Sequence, residues 1–223
     1  MKQAELARYI DHTLLAANAT KKMITALCQE AAEHSFASVC VNGCWTRYCV
    51  DMLKDTKVKV CTVIGFPLGS GSTSAKVCEA AQALADGSDE IDMVINVGKM
   101  LDGDYEAVEN DIRLVKEVCQ QRTLKVILET CLLTDEQKRI ACKLALKAKA
   151  DFVKTSTGFS SGGATVADVK LMREEVKEEM GVKAAGGVRS YETALQMIQA
   201  GATRLGTSSG IAIIQGAASD ATY

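Results

Sequence analysis

Short runs of apolar and β-branched residues alternate with longer amphipathic stretches along the whole chain. Each interval has room for a helix of about three turns and two short loops. This alternation is typical of parallel βα units rather than of hairpins. The pattern predicts eight strands, near residues 9–14, 37–41, 59–64, 90–95, 124–129, 151–156, 182–186 and 203–207.

Helix start and stop signals fall between these strands. Thr134 precedes Gln137 by three residues and Thr165 precedes Asp168 by three, a spacing at which side chains bond the free N–H groups of a first helical turn. Glycine favours the left-handed conformation that ends many helices. Three glycines stand where we expect helices to end: Gly87, Gly181 and Gly201.

Eight βα units without an interrupting linker favour a closed barrel. We expect one α/β domain over residues 1–223, a single (β/α)8 TIM barrel with a short C-terminal tail. An open doubly wound sheet is the structural alternative. The glycine fingerprint of dinucleotide-binding sheets is incomplete, because the nearest candidate, residues 69–74, lacks its third glycine.

Charge and hydropathy argue against two classes of function, nucleic-acid binding and membrane insertion. The 26 Lys and Arg residues nearly balance the 28 Asp and Glu residues, and no basic run forms a surface for nucleic acid. The apolar runs are far shorter than the roughly 18 residues that suggest a membrane span, and the N-terminus has no signal-peptide core. We therefore expect a cytoplasmic protein without nucleic-acid or membrane partners.

The nine cysteines are an odd number in a chain with no secretory signal, so we expect reduced thiols. Cys40, Cys44 and Cys49 are close in sequence, but their spacing contains no second CxxC-type pair and the nearest histidine lies across a predicted strand. Free cysteines usually act as small buried hydrophobic residues. We predict no metal site.

Two lysines interrupt strands that should be covered on both faces. Lys154 lies in the sixth predicted strand and Lys183 in the seventh. A buried ammonium is costly unless it has a partner or loses its proton. Since neighbouring strands lie about 4.8 Å apart, each cation would make the other harder to charge. A neutral lysine is the nucleophile of Schiff-base enzymes; a surface or salt-bridged lysine is the alternative for either residue alone.

An acid occupies an equally apolar strand. Strand alternation places Glu90, Asp92 and Val94 on one face of the fourth predicted strand. If that face lies inside the barrel, Asp92 points toward the two lysines. It could then pair with Lys183 and pass protons through a water molecule, which is general acid–base catalysis. The alternative is a structural ion pair.

Glycine-rich segments follow the last strands. They lie at residues 162–163, 186–187 and 206–210. Barrels commonly bind phosphate with the loops after strands seven and eight. These loops are therefore a predicted phosphate site, and tight turns without a ligand are the alternative interpretation.

The sequence resembles the deoxyribose-phosphate aldolase family over almost its full length. The resemblance rests on eight motifs that follow one another in family order. They are DHTLL at 11–15, VCVN at 39–42, GFPLG at 65–69, EIDMVIN at 90–96, KVILET at 125–130, FVKTSTG at 152–158, KAAGGVR at 183–189 and GTSSG at 206–210.

This resemblance implies a class I aldolase that needs neither metal nor cofactor. Such enzymes reversibly cleave 2-deoxy-D-ribose 5-phosphate into acetaldehyde and D-glyceraldehyde 3-phosphate. The family's Schiff-base lysine falls on Lys154, and the lysine that makes it easier to deprotonate falls on Lys183. The family's proton-transferring aspartate falls on Asp92. The implied partners are small phosphosugar and aldehyde substrates, and the implied pathway is deoxynucleoside breakdown.

The resemblance also implies a phosphate site and a terminal proton relay. A C-terminal tyrosine that reaches the site in the family falls on Tyr223, for which a frayed chain end is the alternative. Dimers are common in the family, so a homodimer is among the assemblies that the resemblance allows. The phosphate contacts fall on Gly186, Gly187, Gly206, Ser208 and Ser209.

One loop departs from the family pattern. Many relatives have proline after the asparagine of VCVN, where this chain has Gly43. Asn42 directly follows the second predicted strand, so its amide is a candidate for binding a sugar hydroxyl. Two other functions stay open beside this aldolase: another phosphosugar barrel, either a different Schiff-base aldolase or an isomerase with Asp92 as base, and a catalytically silent phosphosugar-binding barrel.

Overall fold

The computed structural model describes residues 1–217, which contain a closed barrel of eight parallel strands. Each strand pairs with the next, and the first pairs with the last through Ile10 opposite Leu205. This closure confirms the predicted TIM barrel, because a doubly wound sheet would leave two open edges. The strands are β1 Ile10–Leu14, β2 Ser38–Asn42, β3 Lys59–Ile64, β4 Glu90–Val94, β5 Thr123–Ile127, β6 Phe152–Lys154, β7 Gly181–Ala185 and β8 Arg204–Thr207.

Helices lie between the strands, before the first strand and after the last one. The predicted start signals are confirmed at two of them, since Thr134 and Gln137 form a reciprocal capping box and the Thr165 hydroxyl accepts from the Asp168 N–H. The helices are α1 Gln3–Ala7, α2 Lys21–His34, α3 Thr46–Leu53, α4 Thr73–Ala85, α5 Val97–Leu101, α6 Tyr105–Cys119, α7 Asp135–Lys147, α8 Val166–Val176, α9 Tyr191–Gln199 and α10 Gly210–Ile214.

Two of the three predicted helix-ending glycines are confirmed. Gly87 follows α4 with φ +97° and Gly201 follows α9 with φ +111°. The prediction for Gly181 is wrong, because α8 already ends at Val176 and Gly181 begins β7. A side chain at position 181 would overlap the ring of Phe152, since a Cβ there would lie 2.1 Å from a ring carbon.

Strand β6 is shorter than predicted and ends at Lys154. At the next residue, Thr155, the backbone N–H still donates to the Lys183 carbonyl at 3.0 Å, but the side chain replaces the backbone as the partner of Ala185. The Thr155 hydroxyl donates to the Ala185 carbonyl and accepts from the Ala185 N–H, both at 3.0 Å. The chain after Lys154 therefore leaves the sheet while it stays attached to β7.

The main apolar core lies between the barrel and its helices. Outward-facing strand residues such as Ile91, Met93 and Val126 are fully buried there. A second, smaller apolar cluster contains Cys40, Cys61 and Val63. Within residues 1–217, no helix has both the length and the hydrophobicity that a membrane crossing requires.

Candidate active site

The barrel brings the three predicted catalytic residues together. Lys154 of β6 lies directly opposite Lys183 of β7 in the strand register. Both side chains are buried, and the Nζ atom of each lies 2.8 Å from the same oxygen, Oδ2 of Asp92. The two lysines therefore point to the same side of the sheet, and a carboxylate lies between their ammonium groups.

A glycine makes room for the second lysine. A Cβ atom at position 206 on β8 would lie 3.0 Å from Cε of Lys183 and 2.9 Å from Cβ of Ala185. Real Cβ atoms rarely approach other atoms so closely, so a side chain here would displace the lysine. Gly206 thus has a packing role beside Lys183, in addition to its predicted place in the phosphate site.

A third buried lysine belongs to the same group of charges. Lys125 of β5 is fully buried. Its Nζ atom lies 2.8 Å from Oδ1 of Asp92 and 2.6 Å from Oε2 of Glu90. The sequence analysis treated Lys125 only as part of a strand motif. Strand alternation was the signal that could have placed it inside the barrel, next to Asp92 in the neighbouring strand.

Two further charged groups, near the N-terminal ends of their strands, complete the cluster. Asp11 of β1 accepts from Lys183. Arg204 of β8 lies 2.7 Å from Oδ1 of Asp11 and 3.1 Å from Oε2 of Glu90. Lys59, with its side chain half exposed, touches Glu90 from the rim at 3.2 Å. Sequence reasoning missed these partners, because they meet only when the barrel closes.

The interior cluster holds more cations than carboxylates. Apart from half-exposed Lys59, it comprises four cations and three carboxylates: Lys125, Lys154, Lys183, Arg204, Asp11, Glu90 and Asp92. Among the described residues, Lys154 has a single carboxylate partner, Asp92, whereas the other three cations each have at least two. One positive charge is in surplus, and Lys154 is the cation held by the fewest carboxylates.

The cluster keeps its carboxylates ionised. Burial alone raises the pKa of Asp92, but the ammonium groups of Lys125, Lys154 and Lys183 outweigh it and hold this pKa well below its ordinary value. Burial lowers the pKa of Lys183, but Asp11 and Asp92 outweigh it and raise this pKa above its ordinary value. At neutral pH, Asp92 is therefore an anion and Lys183 a cation.

A metal ion does not suit this place. Ligand atoms of Cys40, Cys61 and Asp92 lie within 4.8 Å of one another. However, the same carboxylate already accepts from three lysines, whose positive charges would repel a metal cation. Cys44 is exposed while Cys40 and Cys49 are buried, and all nine cysteines are free thiols.

The predicted phosphate residues lie on two adjacent loops after β7 and β8. Gly186 and Gly187 both have positive φ, at +83° and +79°. Ser208 is half buried and Ser209 is buried, and the Ser209 hydroxyl has no hydrogen-bond partner among the described residues. Four buried hydroxyls lack a partner in the described part of the chain, those of Ser38, Thr130, Ser156 and Ser209, and Ser209 is the one that lies on these two loops.

A second unpartnered hydroxyl lies near these loops. The Ser156 side chain is buried and its hydroxyl has no partner in the described part of the chain. A Cβ placed on Gly186 would lie 3.4 Å from Cβ of Ser156, so the two residues are neighbours. Sequence analysis did not single out Ser156, although its position two residues after Lys154 was a usable signal.

The loop that follows Lys154 is fixed by another buried acid. Glu129 accepts from the Thr157 N–H at 3.2 Å and from the Thr157 hydroxyl. Its backbone has φ 56°, which is uncommon for a residue other than glycine. Such strain concentrates at functional sites.

Two remaining sequence predictions have different outcomes. The amide of Asn42 donates to the Leu15 carbonyl at 3.1 Å, so one of its donors is engaged within the protein. Tyr223 lies outside the described residues, and its role as a proton relay stays a prediction.

Comparison with known proteins identifies the family. A family model described as DeoC/LacD family aldolase matches residues 6–216. The chain belongs to the DeoC/LacD family of aldolases. This match favours the aldolase hypothesis over the isomerase and the silent binder.

Several relatives of this aldolase have a more specific name. It is 58% identical to deoxyribose-phosphate aldolase 1 of Bacillus licheniformis over 220 residues, or 98% of this chain and 99% of the relative. It is also 58% identical to a Streptococcus pneumoniae deoxyribose-phosphate aldolase over 219 residues, or 98% of this chain and 100% of the relative. The solved structure of an Aeropyrum pernix deoxyribose phosphate aldolase, described as tetrameric, matches this chain with a TM-score of 0.89 at 33% identity. The match covers 96% of this chain and 91% of the Aeropyrum pernix chain.

Proposed function

We propose that this aldolase reversibly cleaves 2-deoxy-D-ribose 5-phosphate into acetaldehyde and D-glyceraldehyde 3-phosphate through a Schiff base on Lys154. The observation that carries the mechanism is the shared carboxylate oxygen between Lys154 and Lys183, within a cluster that has one cation too many. The names of the relatives support the substrate.

The reaction begins with a neutral amine. The surplus charge means that one cation can lose its proton and leave the cluster balanced, and Lys154 is the one with a single carboxylate partner. Its Nζ atom attacks C1 of the open-chain aldehyde, and loss of water leaves a protonated imine. The imine nitrogen then accepts the electrons of the C2–C3 bond as that bond breaks.

Proton transfer falls to Asp92 and Lys183. The C3 hydroxyl must lose its proton as the C2–C3 bond breaks, and in this proposal Asp92 removes that proton through a water molecule and Lys183. Lys183 contacts the same oxygen, so it can exchange that proton with Asp92. After glyceraldehyde 3-phosphate leaves, C2 of the remaining enamine is protonated, and hydrolysis of the acetaldehyde imine regenerates the amine of Lys154.

The phosphate of the substrate binds the loops after β7 and β8 in this proposal. Gly186, Gly187 and Gly206 supply backbone groups there, and Ser208 and Ser209 supply hydroxyls. The unpartnered hydroxyl of Ser209 supports this assignment. Binding energy at the phosphate orients the sugar for reaction at the distant carbons.

Trapping with borohydride tests the mechanism. The enzyme is incubated with acetaldehyde and borohydride, and its peptides are mapped by mass spectrometry. We expect a reduced ethyl adduct on Lys154 and faster cleavage of the phosphorylated than of the unphosphorylated sugar. An adduct on another lysine, or no adduct, would refute the assignment.

A serine pair tests the phosphate site. Ser209→Ala should raise KM for 2-deoxyribose 5-phosphate by about tenfold, the effect of losing one hydrogen bond to a charged group, and should leave kinetics with unphosphorylated 2-deoxyribose unchanged. Ser38→Ala is the control, because Ser38 has an equally buried and unpartnered hydroxyl but begins β2 at the opposite end of the barrel. Equal losses for both sugars in Ser209→Ala would contradict the assignment.

The setting of the reaction is also part of the proposal. Acetaldehyde and a triose phosphate are the products expected of deoxynucleoside breakdown in the cytoplasm. The absence of a membrane-crossing helix among residues 1–217 is compatible with that setting. A homodimer is one assembly that the family resemblance allows, and a tetramer is described for the Aeropyrum pernix relative.

A further inference from the structure

Six of the seven cluster charges form a closed ring inside the barrel. Positive and negative groups alternate around it, and each contacts the next. We call this set the charge ring; in order it is Asp11, Lys183, Asp92, Lys125, Glu90 and Arg204, which returns to Asp11.

The charge ring is neutral without Lys154. It contains three carboxylates and three cations, and Lys154 contacts it from outside through Asp92 alone. Asp92 therefore has two cationic neighbours within the ring before Lys154 is counted. A carboxylate that is already compensated attracts a third ammonium less strongly than a free one does.

We propose that Lys125 is a positioning residue that compensates Asp92 from the side away from the substrate and so keeps Lys154 available as a neutral amine. This inference rests on the proposed Schiff-base function. Lys125 and the Cys61 thiol contact Oδ1 of Asp92, whereas Lys154 and Lys183 contact Oδ2. Lys125 thus acts through Asp92 and does not touch the reacting amine.

The same contacts fix the direction of the carboxylate. Two donors on Oδ1 and two on Oδ2 leave Asp92 little freedom to rotate about its χ2 angle. Removing Lys125 would leave the Cys61 thiol as the remaining donor to Oδ1 and would leave Asp92 with more uncompensated charge. Both changes would hold Lys154 more firmly as an ammonium, so its reactivity would appear only at higher pH.

The charged and titratable groups around the amines of Lys125 and Lys154 come from several strands. Lys125 faces Asp92 and Glu90 of β4, Asp11 of β1 at 3.7 Å, and the Cys61 thiol of β3 at 3.3 Å. Lys154 faces Asp92, and it also interacts electrostatically with the Cys40 thiol of β2. Its neighbour in the strand register is Lys183 of β7.

Two substitutions in the charge ring should have opposite effects. Lys125→Met removes a cation that compensates Asp92, while Glu90→Gln removes the carboxylate that competes with Asp92 for Lys125. We expect the pH midpoint of borohydride trapping at Lys154 to rise by about 1 unit or more in Lys125→Met and to fall in Glu90→Gln. At neutral pH, kcat of Lys125→Met should fall by about tenfold or more with KM changed by less than about threefold.

The control is Lys76→Met, which removes a buried lysine that lies outside the barrel interior and pairs with Asp111. The pH midpoint of borohydride trapping in Lys76→Met should equal that of the parent enzyme.

A merely structural role for Lys125 predicts unchanged midpoints in both Lys125→Met and Glu90→Gln. That result would overturn the inference, and so would midpoints that shift in the same direction in the two variants. If Lys125→Met fails to fold, an unchanged or raised midpoint in Glu90→Gln overturns it. Absence of a Lys154 adduct in the parent enzyme would instead remove the proposed function, and this inference with it.

Discussion

Buried lysines occur at two places within residues 1–217, and their surroundings differ. Lys76 of α4 is buried against α6, where it pairs with Asp111 and donates to the Val94 carbonyl at 2.9 Å. Lys154 is also buried and also paired, but its partner Asp92 is shared with two other lysines.

The difference lies in charge balance rather than in burial. The outer pair has one cation for one carboxylate, so neither group gains by losing its charge. The interior cluster has a surplus cation at the end of β6, where barrel active sites lie. A buried lysine therefore indicates chemistry only when its neighbours leave it incompletely compensated. Exchanging each lysine for an apolar residue should separate the two cases.

The largest expected effect is on catalysis. Lys154→Met should lower kcat/KM by about 1,000-fold or more, the scale of losing a residue that forms a covalent intermediate. The free energy of unfolding should stay within about 1 kcal/mol of the parent value or increase, because the variant leaves a neutral charge ring. Aldol cleavage assays and urea unfolding measure the two quantities. If Lys154→Met keeps activity within tenfold of the parent enzyme, Lys154 is not catalytic and does not differ from Lys76 in this respect.

The opposite behaviour is expected at the outer pair. Lys76→Met leaves the Asp111 carboxylate buried without its cation and should cost about 3–5 kcal/mol of unfolding free energy. Activity per folded molecule should be unchanged. Adding Asp111→Leu removes the stranded charge and should restore most of the stability. If Lys76→Met lowers kcat as strongly as it lowers stability, the outer pair is not merely structural.

The smallest effect concerns acid stability. The pKa values of Asp11, Glu90 and Asp92 are held below their ordinary values of 3.8 for aspartate and 4.5 for glutamate, because nearby cations outweigh burial. The unfolded chain therefore binds more protons than the native state below these ordinary values, and stability falls as pH falls.

Glu90→Gln removes one of these proton-binding groups. Between about pH 4.5 and pH 3, the decline in unfolding free energy should be shallower by up to about 1.4 kcal/mol per pH unit than in the parent enzyme. Urea unfolding across this range measures the slope. An identical slope in the variant would show that Glu90 does not take part in this linkage.

Most of the barrel could be predicted from sequence, because its strands are short apolar runs separated by helices. Every predicted strand start lies within one residue of the observed one. The end of β6 could not be predicted, since the side chain of Thr155 replaces the backbone as the partner of Ala185 there. Gly181 was misassigned because its role depends on Phe152, which is 29 residues away.

The candidate site was only partly predictable. Lys154, Lys183 and Asp92 stood out because charged residues are rare in strands covered on both faces. Lys125 and Arg204 carry the same local signal, but their partners depend on the register with which the barrel closes. Charge balance is a property of the assembled interior, and no single segment of sequence contains it.

Arg204 brings the fourth cation of the interior, and it comes from the last strand. Without Arg204, the interior cluster would contain three lysines and three carboxylates, and no positive charge would be in surplus. The surplus positive charge of the interior therefore depends on β8 taking its place in the closed barrel.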